Sequence, residues 1–105
     1  MSQHIAKHEI ITVRGVHIPA HLRLRLLFSD GLVRDLDLAP MLTGPAFERH
    51  RHDPAFFARA RIRHGTVTWP DDSDLDPLVL HGDAPPSRGF GPRVLGETHP
   101  LVAAS

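Results

Sequence analysis

The clearest pattern in the chain is an alternation of apolar and polar residues on either side of Ser29-Asp30-Gly31. Leucine or phenylalanine occupies every second position from Leu22 to Phe28, and a second alternating run extends from Leu32 to Leu38. Alternation with a period of two is typical of a strand that buries one face, and a glycine-containing loop between two such runs indicates a β-hairpin. We therefore predict an antiparallel hairpin at this place in the chain.

The register of this hairpin depends on the length of its loop. A two-residue loop would place leucines opposite aspartates, whereas the three-residue loop Ser29-Asp30-Gly31 keeps the two faces consistent. We predict the three-residue loop, a type I turn followed by a left-handed Gly31. Its predicted pairs are Phe28 with Leu32, Leu24 with Leu36, Leu22 with Leu38, Arg25 with Asp35 and Arg23 with Asp37, and it leaves Leu26 opposite Arg34.

A second hairpin is predicted from Arg59 to Trp69, around a two-residue His64-Gly65 loop. Its apolar face then points to the core, so we expect Trp69 to be a core residue rather than a stacking platform. Pro70 ends the strand because it has no N–H to donate. The predicted pairs are Ile62 with Val67, Ala60 with Trp69, Arg63 with Thr66 and Arg61 with Thr68.

The segments outside the hairpins predict a first strand and short helices. Glu9–Val13 is short and β-branched, which suits a first strand, whereas residues 15–21 contain Gly15 and Pro19 and predict a loop or an irregular edge. A helical turn and a helix are predicted within residues 40–51. Asp53-Pro54 is a typical helix start, after which two phenylalanines, Phe56 and Phe57, would anchor the helix in the core.

Together these elements predict an α+β fold. It would consist of a small antiparallel sheet made of two β-hairpins plus a first strand, with one or two short helices between the hairpins. We predict a single domain over residues 1–82. Residues 83–105 are rich in proline and glycine and predict a tail, either disordered or an extended arm pinned by Phe90, Val94 and Leu95.

Composition and charge narrow the function classes. The chain has 105 residues, which suits one domain, and its 12 basic and 12 acidic residues give a net charge of zero. That balance argues against a dedicated nucleic-acid binder, although nine histidines would add positive charge below about pH 6.5. The absence of cysteine excludes disulfides, thiolate zinc sites and cysteine nucleophiles. No signal peptide or membrane span is evident, so we expect a cytoplasmic protein.

Five segments of the chain, taken in order, form a set that is specific although no single segment is. They are Leu24-x-Leu26-x-Phe28-x-Asp30-Gly31, Asp35-x-Asp37-Leu38, Asp53-Pro54-x-Phe56, Gly65-Thr66-Val67-x-Trp69-Pro70, and Asp74-Leu75-Asp76-Pro77 with Leu80. With them, from roughly Ile10 to His81, the chain resembles one family of small bacterial proteins, domain-of-unknown-function family 2442. The resemblance implies a small α+β fold and no activity, since none is established for the family. Members often look like the second gene of a pair, which implies an antitoxin-like or accessory role.

The histidines do not predict a metal site. His50 and His52, with Asp53, could supply three ligands, but positions i and i+2 of a helix point about 200° apart. His17 and His21 have helical spacing, but the proline between them disfavours a helix. Scattered surface histidines explain the pattern better, so we predict no metal and no cofactor.

The carboxylates and serines predict no catalytic residue either. The acidic loop Asp71–Asp76 lacks the glycine and glutamate of a calcium loop, and we expect a solvated turn that caps a segment beginning at Asp76-Pro77. Asp35 and Asp37 lie opposite arginines in the predicted register, and an ion-paired carboxylate is kept ionised, which is wrong for a general acid. No serine has the context of a nucleophile. The sequence therefore predicts a protein that is not an enzyme.

One cluster of basic residues is a candidate nucleic-acid contact. Arg59, Arg61 and Arg63 share one strand face of the second hairpin, and Thr66 and Thr68 opposite them would add phosphate contacts. A solvated sheet face is the simpler explanation. Our preferred hypothesis is a non-enzymatic interaction module whose partner is another small, toxin-like protein, and a homodimer is compatible with it. A nucleic-acid-contacting regulator is the alternative.

Overall fold

The computed structural model describes residues 10–86 and 89–99, and these form the predicted α+β fold. Two short helices, α1 (Glu48–His52) and α2 (Pro54–Phe57), lie between the two hairpins, as predicted, and a 3₁₀ turn at Pro45–Phe47 leads into α1. The strands are β1 (Val13–Ala20), β2 (Arg23–Phe28), β3 (Val33–Asp37), β4 (Arg61–Arg63), β5 (Thr66–Thr68) and β6 (Arg93–Thr98). A further helix, α3 (Pro77–His81), follows the second hairpin; a helix was not predicted there, only a capped segment beginning at Asp76-Pro77.

The β2–β3 hairpin has the predicted register. Its two strands pair with arginine opposite aspartate on one face and leucine opposite leucine on the other. The N–H of Phe28 donates to the carbonyl of Leu32 at 2.8 Å, which closes the three-residue loop, and Gly31 adopts the left-handed conformation with φ 91°. Leu26 pairs with Arg34, the one mismatch that the predicted register contained.

The first strand differs from the prediction. Glu9 lies outside the described residues, and the strand begins at Val13 rather than ending there. Gly15 to Ala20 belongs to it and forms an irregular edge of the sheet, with register shifts on both sides of the Gly15–His17 pairing. A bulged edge strand can contain Gly15 and Pro19 because its outer side makes no ladder hydrogen bonds.

The sheet has a fourth strand from the segment that was predicted as a tail. β6 pairs antiparallel with β3, so the order is β1-β2-β3-β6. The expected apolar pins are not buried, because Phe90, Val94 and Leu95 are 75%, 45% and 43% exposed. Two ion pairs hold the strand instead. They join Arg93 to Asp37 at 3.1 Å and Glu97 to Arg34 at 2.7 Å.

The second hairpin also has the predicted register and turn. His64 and Gly65 both have positive φ, at 53° and 78°, as a two-residue hairpin loop of this kind requires. The loop rests against the start of β1, where the N–H of Val13 donates to the carbonyl of Gly65 at 2.8 Å. This contact fixes the small β4–β5 sheet on the edge of the larger one.

One hydrophobic core lies between the inner face of the large sheet, the helices and β5. Two aspartates begin the helices that close it, since Asp53 accepts from Phe56 N at 3.1 Å and Asp76 accepts from Leu78 N at 2.9 Å. Both caps were predicted. The core residues with the largest buried side chains are Trp69, Phe28, Phe57, Leu24, Leu26, Leu36, Leu38, Leu42, Leu80, Val13 and Val67.

A substitution at Gly65 tests the contact between the two sheets. A Cβ there would lie 2.9 Å from Thr12 Cγ2, and the left-handed conformation would cost a further about 1–2 kcal/mol. We expect Gly65→Ala to lower the free energy of unfolding in urea by more than Gly31→Ala does. Gly31 has a similar φ with no atom within 4 Å of the added Cβ, so it loses only the backbone contribution. Equal losses would show that the Thr12 contact relaxes freely.

Candidate functional site

The predicted basic cluster is exposed, but it is not isolated from acidic groups. Arg61 and Arg63 alternate along β4, and Arg59 lies two positions before Arg61, with all three exposed to solvent. The Arg63 guanidinium lies 3.9 Å from the carboxylate of Asp72. A carboxylate beside the basic cluster lowers the positive potential that a phosphate backbone needs.

The two threonines of the hairpin do not share this exposure. Thr66 and Thr68 are 5% and 7% exposed, and their hydroxyls donate to the carbonyls of Leu75 and Thr66. They are buried because residues 73–75 run along β5, where the N–H of Leu75 donates to the carbonyl of Val67 at 3.2 Å. Both threonine hydroxyls therefore donate to carbonyls within the protein, so neither is free to make the phosphate contact that was expected of it.

His50 is the most buried ionisable side chain of the described residues. It lies on α1 with 0% exposure, and the rings of Phe47, Phe56 and Trp69 surround it at centroid distances of 5.0, 5.1 and 4.7 Å. Burial lowers its pKa below the ordinary value. His52 is exposed on the same helix, so the two histidines point to different environments, as the helical spacing predicted.

The other pair considered as metal ligands, His17 and His21, also lies in two different environments. His21 Nε2 lies 2.7 Å from the carbonyl of Arg51, while His17 is exposed on β1. Within residues 10–86 and 89–99, no three histidine or acidic side chains converge as metal ligands would.

Sequence reasoning missed a chain of polar contacts that ends on His50. Its Nε2 lies 2.8 Å from Ser73 Oγ, and Ser73 Oγ lies 2.6 Å from Asp71 Oδ1. Partial desolvation raises the pKa of Asp71, but hydrogen bonds from the hydroxyl and N–H of Ser73 outweigh it and hold the pKa below its usual value. The ionised Asp71 accepts a hydrogen bond from the Ser73 hydroxyl, so Ser73 Oγ is left as the acceptor for Nε2–H of His50.

This proton arrangement excludes a nucleophile–base pair. A general base must present an unprotonated nitrogen to the serine, and here the nitrogen that faces Ser73 carries the proton. The contacts instead tie the acidic loop to α1. No sequence signal could have found them, because His50 and Ser73 are 23 positions apart and belong to no common motif.

The carboxylates of the sheet are structural, as predicted for Asp35. Arg25 Nε donates to Asp35 Oδ1 at 2.7 Å, and this hydrogen bond lowers the pKa of Asp35. Asp37 is bonded by Arg93 of β6 rather than by its predicted partner Arg23. The lowered pKa keeps Asp35 ionised, which is unsuitable for a general acid.

A histidine joins the first hairpin loop to the end of α3. His81 Nε2 lies 2.8 Å from Asp30 Oδ2, and its Nδ1 lies 2.9 Å from Asp83 Oδ2. Desolvation opposes the effect, but the hydrogen bonds from Leu32 N and His81 lower the pKa of Asp30. Both histidine nitrogens therefore face carboxylates, so His81 links the hairpin loop, α3 and the residue after its C-cap.

Two surfaces of the described residues are open to a partner. The first is the free side of β6, where Phe90, Val94 and Leu95 are exposed. The second is a groove of about 520 Å³ beside the 3₁₀ turn, which we call the acidic groove. It is lined by Met41, Thr43, Gly44, Pro45, Ala46, Phe47, Asp74, Leu75, Asp76, Val79, Pro85, Pro86 and Gly89.

Comparisons with known proteins give a family without an activity. No helix of the described residues is long and apolar enough to cross a membrane. No curated protein and no solved structure matches the chain. One family, described as "Protein of unknown function (DUF2442)", matches residues 13–85, which confirms the resemblance seen in the sequence. The match covers well over half of the chain, which therefore belongs to the DUF2442 family of proteins of unknown function.

Proposed function

We propose that this chain is a non-enzymatic interaction module of the cytoplasm, an antitoxin-like or accessory partner of another small protein. The observation that carries the proposal is the free edge of β6. Among the described residues this strand pairs on one side only, with β3, and exposed apolar side chains lie on it and just before it. A free edge presents unpaired N–H and C=O groups to which a strand of a second protein can add.

The opposite edge of the sheet is less suited to this role. β1 is bulged at two places and contains Pro19, and its first residues are hydrogen-bonded to the β4–β5 hairpin. β6 is extended over six residues, the length of an ordinary strand, with a single register shift, at Leu95, and no proline. Three of the six large hydrophobic residues exposed in the described part of the chain lie within residues 90–95. Partner docking is therefore assigned to the β6 edge.

A nucleic-acid-contacting regulator is the second candidate, and the exposure of Arg59, Arg61 and Arg63 favours it. The neighbouring Asp72 and the net charge of zero weigh against it. The two functions differ in their response to salt, because binding to phosphates weakens steeply as salt is added and protein docking much less. If the recovered partner is lost on nuclease treatment, the nucleic-acid-contacting regulator becomes the preferred function.

Substitution of one residue tests the β6 edge. We expect Leu95→Lys to lower recovery of the partner about tenfold, because a charge on a docking strand costs at least about 1.4 kcal/mol. The tagged protein is used to capture its partner from source-cell lysate, with and without nuclease and at two salt concentrations. The amount of the single stoichiometric protein recovered is measured for each variant.

Leu78→Lys is the matched control. Leu78 is 40% exposed, close to the 43% of Leu95, but it lies on α3 and away from the strand edge. It should recover the same partner as the unsubstituted protein. Equal recovery by all three proteins, with all three folded by circular dichroism, would overturn the assignment of the β6 edge.

A further inference from the structure

We infer that the acidic groove is a second docking site, which binds an extended segment of a partner protein with an arginine or lysine beside an aliphatic residue. This inference rests on the proposed interaction role but on a different surface. The groove is formed by the 3₁₀ turn and the loop before it, by residues 74–79, and by the proline pair Pro85-Pro86. Its volume of about 520 Å³ lies within the range of sites that bind ligands.

The apolar part of the groove suits an aliphatic side chain. Its large apolar side chains are Met41, Phe47, Leu75 and Val79, of which the last two are buried and form its lining only in part. Met41 and Phe47 are partly buried against the core, so this part of the lining is fixed from behind. A flexible methionine at such a surface adapts to side chains of different shape.

The negative charge of two carboxylates in the groove favours a cationic group next to that aliphatic side chain. Asp74 and Asp76 are two positions apart in an extended segment, line the groove and are exposed to solvent. Asp76 uses one carboxylate oxygen to cap α3 at 2.9 Å. Among the described residues the lining contains no arginine, lysine or histidine, and neither carboxylate forms an ion pair with any of them.

A peptide fits this arrangement better than a metal ion. No third acidic or histidine side chain of the described residues converges with the two carboxylates, so the ligand number of a cation site is lacking. The apolar lining continues beyond the carboxylates, and an extended chain can place an aliphatic group and a cation on neighbouring positions. Its backbone can follow the rigid prolines Pro85 and Pro86.

The probe is a phage-displayed library of random octapeptides, selected against the purified full chain. We expect the selected peptides to be enriched in arginine or lysine next to leucine, isoleucine or valine. A selected peptide is then synthesised with a fluorescent label, and its affinity is measured by anisotropy. Selection of peptides without a cation, or no enrichment at all, would overturn the inference.

Two substitutions in one loop then locate the binding site. Asp74→Asn should weaken the selected peptide about fivefold, because one exposed ion pair is lost. Asp72→Asn removes the same charge two positions away, outside the groove, and should leave the affinity unchanged. Equal effects of the two substitutions would overturn the inference, since the peptide would then respond only to net charge.

The experiments distinguish a failure of the proposed β6 edge from a failure of the proposed acidic groove. Leu95→Lys should bind the selected peptide with unchanged affinity, because Leu95 does not line the groove. If that variant loses its partner but keeps the peptide, the partner docks at β6 and the groove is a second site. If Asp74→Asn keeps the peptide affinity, the groove inference falls while the proposed function stands.

Discussion

Trp69→Ala should lower the free energy of unfolding by about 3–5 kcal/mol, which is the largest effect expected of a single substitution in this chain. Trp69 is 1% exposed and is the only tryptophan. Since a domain of this size has a total stability of about 5–15 kcal/mol, the variant should be close to unfolding at room temperature.

The size of this effect follows from what the indole contacts. Its ring lies 4.7 Å from the ring of His50 and 5.5 Å from that of Phe57, so one side chain joins β5 to α1 and α2. Its Nε1–H donates to the carbonyl of Phe57 at 2.9 Å in a buried position. Alanine leaves a cavity and also removes one of the two donors of that carbonyl, which then keeps only the N–H of Ala60 at 3.2 Å, and both changes destabilise the folded state.

The measurement is urea denaturation followed by far-ultraviolet circular dichroism, which does not need the tryptophan signal. Phe90→Ala is the control, because it also removes a large aromatic ring but from a residue that is 75% exposed, and it should change stability by less than about 0.5 kcal/mol. Trp69→Phe should fall between the two, since it keeps an aromatic ring but loses the five-membered part of the indole together with its donor. A loss below about 1 kcal/mol for Trp69→Ala would contradict the packing described here.

Both hairpins could be predicted from the sequence because local rules determine them. In the first, only the three-residue loop sets arginines opposite aspartates, and in the second the two-residue loop sets Ile62 opposite Val67 and the arginines opposite threonines. The helix starts at Asp53 and Asp76 could likewise be predicted, because a capping carboxylate followed by proline depends on neighbours two or three positions away.

What the sequence did not predict depends on contacts between distant residues. β6 has proline and glycine before it and Gly96 within it, and its pairing with β3 shows only in Arg93 and Glu97, each bonded to a side chain more than fifty positions away. The burial of Thr66 could not be predicted from the sequence either. Residues 73–75 return along β5 only after an acidic turn, and that turn has the composition of a solvated loop.

The candidate surfaces depend on the same distant contacts. The free edge exists only because the fourth strand joins the sheet, and the acidic groove exists only because the chain returns past the 3₁₀ turn. The residues of both surfaces form no motif and have no regular spacing in the sequence, so the sequence does not indicate that they lie together. This is why the sequence favoured the arginines of β4, which a single strand places together.

Acidification should destabilise the protein through His50 in particular. Burial lowers the pKa of His50 in the folded state below the ordinary value of 6.5, so the unfolded chain takes up this proton first as the pH falls. Above that value both states are neutral at this residue and it contributes nothing. Below it the free energy of unfolding falls, by at most about 1.4 kcal/mol per pH unit, until the pH passes the folded pKa.

The charged groups around His50 do not reverse this direction. Asp71, at the end of the serine chain, raises the pKa of His50, while Arg49 and Arg51 on the same helix lower it together with burial. A protonated His50 would also carry a second N–H among aromatic rings, where its Nδ1 is buried and has no hydrogen-bond partner. The folded state therefore resists protonation of Nδ1, the nitrogen that carries no proton in neutral His50.

The comparison of two histidine variants isolates this contribution. The free energy of unfolding in urea is measured at about pH 7.5 and about pH 5.5, on either side of the unfolded pKa, and the difference between the two is compared. His50→Gln cannot take up a proton, so its loss on acidification should be smaller than that of the unsubstituted protein. His52→Gln removes an exposed histidine two positions away and should lose as much as the unsubstituted protein. If His50→Gln retains the full loss, then His50 is protonated equally in the folded and unfolded states, and the aromatic surroundings do not exclude its charge.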